Sequence, residues 1–110
     1  MADHLPVHLL EHVAERFRVL GDSTRLAILR ILLAEGELNV GQLVERLDTS
    51  QANISKHLKI LHDARIVARR PQGTSAYYSV SDTSVTQLCD LVCTRLRDQT
   101  SSEARAFAAN

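Results

Sequence analysis

A mainly α-helical chain with one small β-hairpin is the fold the sequence predicts, and three observations lead there. Apolar residues recur at helical spacing from Leu9 to about Ala64. The period then becomes strand-like in two short β-prone runs, Ile66–Arg70 and Ala76–Val80, around the turn Pro71–Ser75. Beyond Asp82 the helical spacing returns. The order is four helices, a hairpin and a last helix.

Each element has a local reason. The first helix is expected from Pro6 to Leu20, because proline suits a first turn and Leu9, Leu10, Val13, Phe17 and Leu20 fall at helical spacing. Gly21 ends it, and Asp22 or Ser23 can cap the second helix. Leu26, Ile28, Leu29, Ile31, Leu32 and Leu33 make that second helix apolar on most sides, which marks a central helix. Glu35-Gly36-Glu37 breaks it. Asn39 caps a short third helix with Gln42 in capping-box position, and Val40, Leu43, Val44 and Leu47 form its inner face. Asp48-Thr49-Ser50 is a polar turn, with Thr49 or Ser50 as the cap of a fourth helix, Gln51 to Ala64, that buries Ile54, Leu58 and Leu61. Asp82 caps the last helix, which carries Val85, Leu88, Cys89, Leu91, Val92 and Leu96.

A chain of 110 residues is one domain by length. The ordered domain is expected over residues 1–98, and the small polar residues of 99–110 are expected to fray. Hydrophobic residues make up 45% and aromatic residues only 4%, so aliphatic side chains must fill the core. Two cysteines are too few for a disulfide scaffold. Neither a signal peptide nor a run long enough to span a membrane is visible, so the expected location is the cytoplasm.

The 13 basic and 13 acidic residues cancel, which on totals argues against a nucleic-acid binder. Their placement argues the other way. Lys56, Lys59, Arg65, Arg69 and Arg70 cluster between Gln51 and Arg70 with Asp63 as the only acid. Most acids lie in the first half of the chain.

Val40–Leu61 is two short helices joined by a tight polar turn, the spacing of a helix-turn-helix. In that motif the second helix enters the major groove of duplex DNA. Gln51 and Asn53 suit adenine, Lys56 and Lys59 suit guanine or phosphate, and Ser50 and Ser55 suit either. Arg69 and Arg70 on the hairpin can follow the backbone or the minor groove. An ordinary solvated helix face mixes both signs of charge, and this one is nearly free of acids. The competing reading is a protein-interaction module of the same fold that does not bind DNA. An enzyme is not expected: no nucleophile–base pair, phosphate loop or three-ligand metal motif is present.

The segments FRVLGDSTRLAILRIL (17–32), NVGQLVERLDTSQANISKHLKILHDARIV (39–67) and AYYSV (76–80) resemble the ArsR/SmtB family of bacterial winged helix-turn-helix repressors. The most specific stretch is SQANISKHLKIL. The resemblance implies that Ser50, Gln51, Asn53, Ser55 and His57 face DNA. Arg65 stands where the family commonly has glycine, and the tip Gly73-Thr74-Ser75 lacks the arginine that often follows that glycine. The family further implies a homodimer paired through the first and last helices. Both carry apolar seams here, Leu9, Leu10, Val13 and Phe17 on one and Val85, Leu88, Val92 and Leu96 on the other. A two-fold dimer predicts an inverted-repeat operator and repression released by an effector.

Many such repressors sense metals or metalloids, so arsenite or zinc is a candidate effector, although no cofactor is required for the fold. The family's thiolate site at the start of the third helix is missing, because Leu38, Asn39 and Val40 stand there. Its zinc site on the last helix keeps Asp82 and Asp98 but has Ser84 and Arg95 at the histidine positions. Cys89 and Cys93 share a helix face and could bind a soft ion, or undergo oxidation, or simply pack. His8 and His12 are also four apart, so a mixed Cys/His site between the first and last helices is a further possibility.

Overall fold

The computed structural model describes residues 5–108. Pro6 leads into a single 3-10 turn, Val7–Leu9, and the α-helix proper, α1, spans Leu10–Leu20. The chain continues through α2 (Ser23–Glu35), β1 (Leu38–Asn39), α3 (Val40–Arg46), α4 (Gln51–Asp63), β2 (Val67–Gln72), β3 (Ser75–Val80) and α5 (Thr83–Ala108).

The caps form as the side chains dictate. The Asp22 carboxylate accepts from the amides of Thr24 and Arg25 at 2.9 and 3.0 Å. Asn39 and Gln42 close a reciprocal capping box. Ser50, not Thr49, caps α4 by accepting from the Asn53 amide. Asp82 accepts from the Ser84 amide at the start of α5.

α4 ends in a left-handed cap. Arg65 has φ of +61°, its amide donates to the His62 carbonyl, and the Ile66 amide donates to the Leu61 carbonyl. This is a conformation that glycine adopts more readily than arginine.

The sheet has three antiparallel strands in the order β1-β3-β2. The two-residue β1, Leu38–Asn39, pairs with Tyr78 and Tyr77 and was not foreseen, because so short a strand has no readable period. The hairpin strands are longer than expected and leave a two-residue loop. Gly73 takes its first position with φ of +61°, as a type II′ turn requires. Pro71 lies on β2, an outer strand, where a missing amide costs no sheet hydrogen bond beyond its own pair.

One core joins α2, α3, α4 and the sheet. Ile28, Leu29, Leu32, Leu43, Ile54, Leu58, Leu61, Ile66 and Val67 are its fully buried side chains. Val85 also belongs to this core, being 2% exposed, so it is corrected from a dimer-seam residue to an interior anchor of α5.

The segment expected to fray is helical up to Ala108, and the last two residues lie outside the described ones. Alanine, glutamate and arginine favour helix enough to outweigh the serines. From Asp90 to Glu103 every residue of α5 is exposed.

Candidate nucleic-acid interface

α3 packs on α4 across the Asp48–Ser50 turn, and α4 rests on the core through Ile54, Leu58 and Leu61. At 3.6 residues per turn this leaves one arc of α4 to solvent. Gln51, Ala52, Ser55, Lys56, Lys59, His62 and Asp63 occupy it.

Two residues expected on that arc lie elsewhere. His57 is 7% exposed and faces inward, which corrects its assignment to the DNA-facing set. Its position falls on the same side of the helix as Ile54 and Leu61. Its Nδ1 lies 3.1 Å from an Arg25 guanidinium nitrogen, within hydrogen-bond distance. Arg25 also donates to the carbonyls of Val19 and Arg18, at 2.6 and 3.3 Å. The end of α1, the start of α2 and the middle of α4 are thereby tied together. Asn53 is half-buried and donates from its side-chain amide to Thr49 Oγ1 at 2.9 Å, bracing the turn.

The basic residues divide into two groups. Lys59 is bonded to Asp63 at 2.8 Å. Arg70 forms a two-pronged pair with Glu37, at 2.7 and 3.0 Å, donates to Gln72 and lies over the Tyr77 ring. Hydrogen bonds from Arg70 hold the Glu37 carboxyl below its ordinary range, and Lys59 does the same to Asp63. Lys56 and Arg69 are exposed and form no salt bridge among the described residues.

Sequence reasoning missed Arg25 as the residue that seats α4, the pairing of Asp63 with Lys59 on α4, and Glu37 as the acid that holds the hairpin's Arg70. Glu37 was read only as part of a helix break. Nothing local in the sequence pairs it with a residue on the hairpin.

The metal-ligating candidates are not gathered. Among the described residues no group of three or more His, Cys, Asp or Glu side chains is placed to hold a metal ion. His8, His12, Cys89 and Cys93 therefore do not form the mixed site within one chain. The family's two metal positions do not fit either. Leu38 is buried, Asn39 is committed to its cap, and Asp82 is bound to Arg16 at 3.0 Å and to Ser84.

A capped recognition helix with a polar, cation-bearing arc, followed by a short hairpin wing, defines a winged helix-turn-helix DNA-binding transcriptional regulator. The chain belongs to the arsR family of bacterial regulatory proteins, whose family profile matches residues 22–69. It is 40% identical over 82 residues to a helix-turn-helix transcriptional regulator of Methanocaldococcus jannaschii, covering 74% of this chain and 92% of that one. It is 35% identical over 86 residues to the arsenical resistance operon repressor of Bacillus subtilis, covering 78% and 82%. Among solved structures, the AntR antimony-specific transcriptional repressor superposes with a TM-score of 0.79 at 25% identity, covering 91% of this chain and 90% of that chain. Rv0081 of Mycobacterium tuberculosis gives 0.77 at 28% identity, covering 87% and 96%.

Proposed function

We propose that the chain works as a homodimeric repressor on an inverted-repeat operator and leaves it when an effector binds. The carrying observation is the exposed arc of α4. Gln51 and Ser55 offer amide and hydroxyl groups to base edges, and Lys56 and Arg69 offer unpaired cations to phosphate. Ser50 positions the helix start, while Asn53, Lys59 and Arg70 reach DNA by leaving their present partners.

Dimerisation rests on exposed apolar surface. Leu9, Leu10 and Phe17 on or beside α1 are 41%, 44% and 55% exposed, and Val92 and Leu96 on α5 are 50% and 55%. Val13 and Leu88 line a groove between these helices. A helix end as long as Asp90–Glu103 gains little from its own chain, and isolated helices of this length are marginal in water. A second copy laid along the same seam covers both faces and sets two α4 helices on one face of DNA.

The arsenical and antimony repressors it resembles make a metalloid the first effector class to examine, and Cys89 and Cys93 are the soft ligands available.

The test is fluorescence anisotropy with the duplex upstream of the protein's own gene, over a range of salt. A complex whose affinity falls steeply with salt is expected, and replacing both Lys56 and Arg69 by Ala removes two cations from each chain of the dimer and should flatten the log–log slope by about 3–4. Absence of any salt-sensitive complex overturns the reading.

A further inference from the structure

Of the 13 lysine and arginine residues in the sequence, only Lys56 and Lys59 are lysine, and both are exposed on α4. Elsewhere the chain uses arginine, including Arg69 and Arg70 on the hairpin. The difference is chemical. A guanidinium stays charged and is no nucleophile, whereas a lysine amine attacks activated carbonyls once it sheds a proton. Every nucleophilic side-chain amine of this sequence therefore lies on the face assigned to DNA.

The two lysines differ in their surroundings. Lys59 stands one turn before Asp63 and is bonded to it at 2.8 Å. That hydrogen bond raises Lys59 above its ordinary range and holds its amine as an ammonium. The residues three and four positions from Lys56 are Ala52, Asn53, Lys59 and Ile60, none of them acidic. Lys56 accordingly forms no salt bridge among the described residues.

We propose that Lys56 is an acylation site, taking a small acyl group from an activated carboxyl donor, an acyl phosphate or an acyl thioester. The Lys56 Nζ attacks the carbonyl carbon, a C–N bond forms, and the C–O bond to phosphate or the C–S bond to the thiol breaks. Of the two protons the ammonium loses, one passes to solvent and one leaves on the phosphate or thiol. Nothing is oxidised or reduced. A neutral amide replaces the cation and can no longer neutralise a phosphate. A duplex seated on α4 covers the same amine, so the free protein is the form that is modified. The modification stands by itself, and only its effect on operator binding rests on the repressor reading above.

The probes are acetyl phosphate and acetyl-coenzyme A, added separately to the full-length protein and followed by peptide mapping with mass spectrometry. At least one donor should label Lys56 several-fold faster than Lys59, and the faster donor identifies the source. Asp63→Asn should bring Lys59 up to the rate of Lys56. Excess operator duplex should protect Lys56. The acetylated protein should bind operator about tenfold more weakly at physiological salt, with a salt slope flatter by about 1.8 for the dimer. Lys56→Arg keeps a cation but offers no amine to acylate, so the donor should leave its operator affinity where it started. Labelling of neither lysine, or of Lys59 as fast as Lys56 in the wild type, overturns the site. A Lys59 that stays slow in Asp63→Asn overturns the ion pair as the basis of the choice. Lys56 labelled with no change in operator affinity, no protection by operator, or an equal loss of affinity in Lys56→Arg overturns the regulatory effect alone. No operator complex in the untreated protein overturns the repressor reading instead.

Discussion

At the residue scale, the most informative position is Arg65. A left-handed conformation is costly for any residue with a Cβ, and the cap closing α4 requires one here. Arg65→Gly should stabilise the protein by about 0.5–1 kcal/mol, raising the melting temperature by a few degrees at fixed protein concentration. An unchanged or lower melting temperature would show that the arginine side chain compensates. Asp22 supports a pH prediction. Hydrogen bonding from the Arg25 amide, foremost, holds its carboxyl below the ordinary value of 3.8. A depressed folded value means that the charged cap stabilises above 3.8 and loses its effect as pH falls through the lower folded value. Wild type should therefore exceed Asp22→Asn by about 0.5 kcal/mol in urea unfolding at neutral pH, and the difference should vanish in acid. The placement of Asp22 was legible, because a cap acts on the next few amides. The burial of His57 was not, because Arg25 lies thirty-two residues away from it in the chain.

At the scale of elements, the recognition helix and the wing carry unequal shares of free charge. Glu37 follows α2 and clamps Arg70 on β2, so to serve as the phosphate contact we propose, Arg70 has to exchange a carboxylate for a phosphate. An exposed pair of this kind contributes little to stability. Glu37→Gln should therefore fold normally, bind operator several-fold more tightly at low salt, and steepen the salt slope by up to about 1.8 for the dimer, about 0.9 for each Arg70 released. Equal slopes for the two proteins would show that Arg70 is not a phosphate contact. The helices and hairpin were legible because their periods and turn residues are local. β1 was not, since its pairing with Tyr77 and Tyr78 depends on the fold having closed.

At the scale of the molecule, the chain is flat and extended, 59 × 40 × 20 Å, with an apolar seam open along α1 and α5. Phe17→Asp together with Leu96→Glu should leave the core intact but give a monomer in sedimentation velocity at micromolar concentration. Operator affinity should fall by at least a hundredfold, because each half-site then binds alone. A variant that remains dimeric would move the interface elsewhere. The seam could be read in advance for residues that face away from the core. Val85 has the same apolar character and the same spacing, and only its contact with the folded core sends it inward.

The sequence by itself determined the order of the helices and the hairpin, where the helices are capped, the recognition helix and the family, because these depend on periodicity and on hydrogen bonds a few residues long. Tertiary structure alone decided that His57 and Asn53 leave the exposed arc of α4, which cations carry acids, and that Val85 turns inward from the seam. Those outcomes depend on contacts between segments distant in the chain, and a one-dimensional pattern holds no measure of that proximity.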